Sequence, residues 1–289
     1  MELQAYAKIN LYLDVTAKRS DGYHDIISIM QTVDLCDDVS VICHWDQNTG
    51  IVLQCDNDLP CDRRNLAYRA AEAYFDGVVP CTVEIGIKKR IPMQAGLAGG
   101  SADCAAVLRA LNLTFERYSE QELLALGARL GADVPFCLAQ GTYITRGIGE
   151  VLEPCAVMPD CILVIARGGE GISTPWAYKA LDTLYGDFSG RQAQSEQNLA
   201  VLLHAMQAEN VRAMTDAMYN VFEEVVLPEH TVACTLKRDM MRNGAVGAMM
   251  SGSGPSVVGV FDDLSKAQAA CDCIKEQGII AYVCKPINP

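Results

Sequence analysis

The sequence predicts an α+β protein of two domains, and three features carry that reading. Extended, β-branched or alternating segments dominate the first ninety residues. Helical periodicity dominates past Pro154, and each half holds a glycine-rich turn, at 96–100 and at 251–255. Strands and helices in each half suggest two layers per domain. The seam falls at 150–160, around Glu153-Pro154 and Met158-Pro159, giving domains 1–154 and 155–289.

The first-half strands are Leu3 to Ala7, Ile9 to Ala17, Ile26 to Leu35, Val39 to Trp45 and Cys81 to Lys88. One helix, about Leu66 to Phe75, interrupts them, with Asn65 placed to cap it. The first glycine-rich turn opens an Ala-rich helix, Ala102 to Leu113. Ser119 and Glu122 form a capping box for the next helix, which stops at Gly131. In the second half a strand, Cys161 to Ala166, precedes helices near 175–185, 196–208, 211–224 and 230–243. Strands at Ala245 to Met250 and Ser256 to Phe261 bracket the second glycine turn. A helix from Leu264 to Gln277 leads into a last strand, Ala281 to Lys285.

Composition narrows the function classes. With 289 residues, 50% hydrophobic and 20% charged, the chain can bury a sizeable core. A net charge of −13 argues against a general nucleic-acid or anionic-membrane surface. The thirteen cysteines are scattered and often lie inside apolar runs, as free thiols in a reducing compartment do. The first residues lack the basic and apolar pattern of a secretion signal, and no run reaches the ~18–20 apolar residues of a membrane span. The expectation is a cytoplasmic protein; its oligomeric state cannot be read from the chain.

The most informative segment is Ile91-Pro92-Met93-Gln94-Ala95-Gly96-Leu97-Ala98-Gly99-Gly100-Ser101-Ala102. Its glycines let backbone approach a ligand closely, and the following helix N-terminus presents unpaired N–H groups suited to phosphate. The alternative is a packing loop with Ser101 as a helix cap. It is neither a Walker A loop nor G-x-G-x-x-G. A side chain at Gly99 should block phosphate approach without harming the fold.

Pro92 to Ala106 resembles the ATP-binding signature of the GHMP kinases, the superfamily of galactokinase, homoserine kinase and mevalonate kinase. It departs from that signature at Ala98, where the family usually has glycine, and at Gln94 and Ala102. Close approach to phosphate is then expected to require a negative φ at Ala98. Ala7-Lys8-Ile9-Asn10 with Asp21-Gly22-Tyr23-His24, and Leu130-Gly-Ala-Asp133-Val-Pro-Phe, resemble one branch. Ser251-Gly-Ser-Gly-Pro-Ser resembles the superfamily's third motif. The resemblance implies a two-domain fold, an N-terminal nucleotide-binding domain and a C-terminal α/β substrate domain, with the active site in the cleft between them. It implies ATP as co-substrate, with Mg²⁺ arriving alongside it. The acceptor implied by the branch is the 2-hydroxyl of a cytidine-diphosphate-linked methylerythritol, in the non-mevalonate route to isoprenoids. Another GHMP branch, or a catalytically silent nucleotide- or sugar-binding relative, are the alternatives.

Phosphoryl transfer to an alcohol needs positioning, charge neutralisation and a proton acceptor. The resemblance makes Asp133 the base and Lys8 its electrostatic partner. From spacing alone, Asp133 could instead cap the helix at Val134-Pro135, and Lys8 could be an edge-strand lysine. The implied ATP contacts are Pro92 through Ala102, together with Asn65 and Lys89, although Lys88-Lys89-Arg90 also reads as a solvated strand end. Asn10, Tyr23, His24, Thr174 and Tyr178 are implied to bind the acceptor. Tyr23 and Tyr178 would clamp the cytosine and His24 would bond its polar edge. A Tyr-His pair in a turn can equally be plain surface. No histidine or cysteine spacing suggests a metal site.

Overall fold

The computed structural model describes residues 1–45 and 49–288. The chain begins with β1 (Glu2–Lys18), β2 (His24–His44), β3 (Gly50–Cys55), α1 (Leu66–Tyr74) and β4 (Thr82–Lys88). It continues through α2 (Gly99–Phe115), α3 (Glu120–Leu130), α4 (Val134–Ala139), β5 (Thr142–Arg146), β6 (Val151–Pro154) and β7 (Ile162–Arg167). Then come α5 (Thr174–Tyr185), α6 (Arg191–Gln207), α7 (Val211–Ala217), β8 (Tyr219–Asn220) and α8 (Glu223–Val226). It ends with α9 (Thr231–Arg242), β9 (Gly247–Met250), β10 (Ser256–Phe261), α10 (Leu264–Glu276) and β11 (Ala281–Cys284).

These elements form two compact units, neither of them one continuous stretch of chain. The first holds residues 1–7, 35–92 and 98–140; the second holds 8–34, 93–97 and 141–289. The two long strands β1 and β2 each begin in one unit and end in the other.

In the first unit β4 is the central strand. It runs parallel to β3 and antiparallel to the C-terminal half of β2, so Ile85 faces both Leu53 and Val41 in register. Helix α1 packs on α2 and against β3 and β4. Its buried stripe, Ala67, Ala70, Ala71 and Tyr74, follows helical spacing. Asn65 caps α1 by accepting from the Ala67 N–H at 3.0 Å. The Ser119–Glu122 capping box forms as the sequence indicates.

In the second unit the N-terminal half of β2 pairs antiparallel with β5, which pairs with β6, and β1 pairs parallel with β8. A separate antiparallel sheet runs in the order β11-β7-β10-β9. Helices α9 and α10 cover it through Leu236, Met240, Ala267, Cys271 and Ile274. A second core joins Leu13, Val15 and Ile26 to Ala177, Leu181 and Phe222.

Several sequence expectations are corrected. The break expected at Lys8 is absent, because β1 continues through it with residues 7–16 all buried. Likewise 26–35 and 39–44 belong to one strand, which ends before Trp45. The strands β3, β5 and β6 were not expected. The helix expected over 211–224 stops at Ala217, where Tyr219 and Asn220 pair with Tyr12 and Leu13 instead. Tertiary pairing overrides the local helical pattern there.

Candidate functional site

Helix α2 begins at Gly99, three residues earlier than the sequence suggested. Its cap position is Ala98, not Ser101, and no side chain caps it. The first N–H groups of a 17-residue helix are therefore left without a capping side chain, at the positive end of its dipole. Ala98 reaches this geometry with φ 56° and ψ 29°, not the negative φ that close approach to phosphate was expected to require. A left-handed alanine costs about 1 kcal/mol or more, which glycine would not.

The glycines of this loop have different duties. A Cβ at Gly96 would lie 2.2 Å from the Ser251 carbonyl oxygen, and Gly96 has φ +74°. Gly96 is therefore required for backbone-on-backbone packing within the second unit. There Ser251 Oγ also donates to its carbonyl at 3.0 Å. A Cβ at Gly99 would lie 3.0 Å from Ile91 Cγ2 and 3.3 Å from Lys89 Nζ, so a side chain there disturbs the first unit's packing. This corrects the expectation that a side chain at Gly99 would leave the fold unharmed. At Gly100 the space is open, with Leu66 Cδ1 at 3.8 Å.

Asp133 lies just ahead of α4 in the first unit. It has helical φ and ψ, and its carboxylate makes no capping bond, so the capping role is not what this structure contains. The same unit brings its segment beside the start of α2: a Cβ on Gly131 would sit 3.8 Å from Ser101 Oγ.

Lys89 is not a solvated strand end. Its side chain is 7% exposed, with Nζ donating to Asp103 Oδ2 at 2.7 Å and also to Asp37. Asp37 accepts from the backbone N–H groups of Arg90 and Ile91 as well, tying the end of β4 down. Burial works against the Lys89 ammonium, but Asp103 and Asp37 outweigh it and move its pKa up. Burial pushes the Asp103 carboxyl up to about 7; Lys89 opposes that rise and Asp37 adds to it. Asp103 Oδ1 is buried without a hydrogen-bond partner.

In the second unit Lys8 is 4% exposed and donates to Asn10 Oδ1 at 2.8 Å. The same oxygen accepts from the Gly252 N–H at 2.9 Å, and Asn10 Nδ2 donates to Ser28 Oγ. The Lys8 N–H bonds the Leu97 carbonyl at 3.1 Å, and Asn220 donates to the carbonyls of Met250 and Gly252. Lys8, Asn10, Leu97 and the 251–254 turn thus form one buried polar cluster. Around it, Ala95 accepts from Ser256 N–H, Gln94 packs against Gly171, and Met93 is half exposed. Pro92 closes the preceding segment of the first unit, and Ala102 is buried in α2.

His24 is 6% exposed and stacks on Tyr178 at 4.8 Å between centroids, with Phe188 edge-on at 5.7 Å. Tyr178 meets Phe222 edge-on, so one of its faces and part of its rim are already occupied within the unit. Tyr23 is 60% exposed, and Thr174 Oγ1 lies 2.9 Å from Ser253 Oγ.

The sequence reading missed Asp37, Asp103, Asn220 and Asp182, whose carboxylate bonds His24. A charge inside the otherwise apolar start of α2 was the available signal for Asp103. The i, i+4 spacing of Tyr178 and Asp182 was the signal for the latter.

Comparisons with known proteins show that this two-unit α+β chain, with its glycine-rich loop ahead of an uncapped helix, is a small-molecule kinase of the GHMP type. The family models "GHMP kinases N terminal domain" and "GHMP kinases C terminal" match residues 65–141 and 202–280. A Clostridium perfringens protein named 4-diphosphocytidyl-2-C-methyl-D-erythritol kinase is 41% identical, covering 100% of this chain and 99% of that one. A Clostridium botulinum protein of the same name is 40% identical over 99% and 100%. A crystal structure of 4-(cytidine 5'-diphospho)-2C-methyl-D-erythritol kinase superposes with TM-score 0.81 at 30% identity, covering all of both chains. Homoserine kinase from Cytophaga hutchinsonii shares the fold, with TM-score 0.73 at 19% identity over 99% and 95%. The chain belongs to the 4-diphosphocytidyl-2-C-methyl-D-erythritol kinase family of the GHMP kinases.

Proposed function

We propose that this chain transfers the γ-phosphoryl group of ATP to the 2-hydroxyl of a cytidine-diphosphate-linked methylerythritol. The observation that carries the reading is full-length similarity, at about 40% identity, to relatives named for that substrate. The reaction belongs to the non-mevalonate supply of isoprenoid precursors.

In this reading the triphosphate sits on the N–H groups of Gly99, Gly100 and Ser101, with residues 92–98 shaping the approach. Asn65 and Lys89, both held within the first unit, flank the nucleotide. Asp133 accepts the proton of the acceptor hydroxyl as its oxygen attacks phosphorus, and ADP leaves. Lys8, held by Asn10, offsets negative charge on the transferring group. Tyr23 and His24 contact the cytosine, Tyr178 backs His24, and Asn10 and Thr174 contact the acceptor. Among the described residues no group of three or more His, Cys, Asp or Glu side chains is placed to hold a metal. Mg²⁺ would be held chiefly by phosphate oxygens and water, its usual habit, and would neutralise phosphate charge. Among the described residues no helix is long and apolar enough to cross a membrane. The scatter of thirteen cysteines through the sequence, often inside apolar runs, supports a reducing, cytoplasmic setting.

Coupled ATP-consumption assays with the cytidine-linked alcohol, homoserine and mevalonate test the reading. Turnover is expected with the first alone; comparable turnover with either of the others would overturn it.

A further inference from the structure

We propose that Asp182 is a positioning residue that fixes the tautomer of His24 and thereby makes the acceptor site select cytosine over uracil. The inference rests on the cytidine reading above and extends it to a residue outside every motif.

Helix α5 carries Tyr178 and Asp182 four residues apart, hence on one helical face. That face engages His24 twice. The Tyr178 ring covers the imidazole face, and Asp182 Oδ1 lies 2.7 Å from His24 Nε2. The other carboxylate oxygen receives Lys18 Nζ at 2.6 Å. Burial alone would raise the Asp182 pKa, but hydrogen bonds from Lys18 and His24 prevail and bring it below its ordinary value.

An ionised carboxylate can only accept, so the bridging hydrogen belongs to His24 Nε2. In a neutral imidazole that leaves Nδ1 as a lone-pair acceptor. Nδ1 makes no hydrogen bond to any described residue, while stacking and the Asp182 bond hold the ring against flipping. A lone acceptor in a fixed direction suits the 4-amino donor of cytosine. Uracil presents a 4-oxo acceptor there, setting two lone pairs against each other. Without Asp182 the imidazole could move its hydrogen to Nδ1 and meet uracil equally well.

The test compares kcat/KM for cytidine- and uridine-diphosphate-linked methylerythritol in the wild type and in Asp182→Asn, an isosteric change with the Lys18 contact lying at the surface. Imidazole ¹⁵N NMR of the free proteins reports the tautomer independently of turnover. The wild type should carry hydrogen on Nε2 and prefer cytidine roughly 5- to 150-fold, the usual scale for one unsatisfied buried polar contact. Asp182→Asn should show mixed tautomers and bring the two substrates within a few-fold, with ATP KM unchanged. Hydrogen on Nδ1, or on both nitrogens, in the wild type would overturn the proposal. So would cytidine preference that survives in Asp182→Asn, which leaves the proposed function standing. A wild type that phosphorylates neither substrate fails the functional reading itself, and the proposal with it.

Discussion

Lys89 Nζ and Asp103 Oδ2 lie 2.7 Å apart, both side chains almost closed to solvent, with Asp37 as a second carboxylate on the same ammonium. Two carboxylates around one cation leave the cluster one negative charge in excess. Burial above all, with the Asp37 charge adding to it against Lys89, favours a proton on Asp103, whose carboxyl is raised from 3.8 to about 7. A raised carboxyl binds its proton where the unfolded chain has already released it. Its contribution to stability is full below about pH 4 and is lost as pH rises toward 7, at most about 1.4 kcal/mol per pH unit. Asp103→Asn is neutral throughout, so its stability relative to wild type should improve from pH 5 to pH 8. Urea midpoints across that range check this; a difference independent of pH would sink it.

Ala98 holds a conformation that glycine adopts without strain. Ala98→Gly should stabilise the protein by about 1 kcal/mol, or roughly 2–4 °C in melting temperature, and leave turnover intact. A lowered melting temperature would mean that residue 98 is not left-handed.

Gly99 and Gly100 should separate packing from ligand approach. Gly100→Ala meets open space, so its melting temperature should hold or rise slightly while kcat/KM for ATP falls about 100-fold. Gly99→Val should lower the melting temperature through its collision with Ile91. Unaltered ATP kinetics in a folded Gly100→Ala protein would argue against phosphate on this helix.

If Asp133 takes the proton with Lys8 assisting, their losses should not add. Asp133→Asn should cut single-turnover transfer by about 10²–10⁴-fold with an unchanged melting temperature. Lys8→Ala should lower it strongly too, and the double variant should be little worse than the poorer single one. Near-normal turnover in Asp133→Asn would remove this residue from the mechanism.

The loop, its helix and the capping of α1 and α3 were legible in the sequence because they rest on local chemistry. Asn65, Ser119 and Glu122 satisfy N–H groups two or three residues away. What escaped was set by distant partners. Lys8 looked like an interruption because alternation fails in a strand buried on both faces. Residues 219–220 look helical until Tyr12 and Leu13 claim them. Asp37 is 52 positions from Lys89, and Asp182 is 158 from His24. No periodicity links such pairs.

The interleaving of the two units bears on how the molecule can be made and divided. Lys8–Asp34 leaves the ribosome early, yet β1 finds its parallel partner only when Tyr219 and Asn220 emerge about two hundred residues later. Those early strands must wait with an open edge, the state most exposed to wrong pairing during synthesis. A fragment ending near residue 154 would contain the whole first unit but strand residues 8–34 without β8 or the 251–254 turn. Splitting the gene there divides the second unit, leaving strand residues 8–34 in one piece and β8 in the other. Reconstitution from co-expressed halves should therefore succeed where refolding either half alone aggregates.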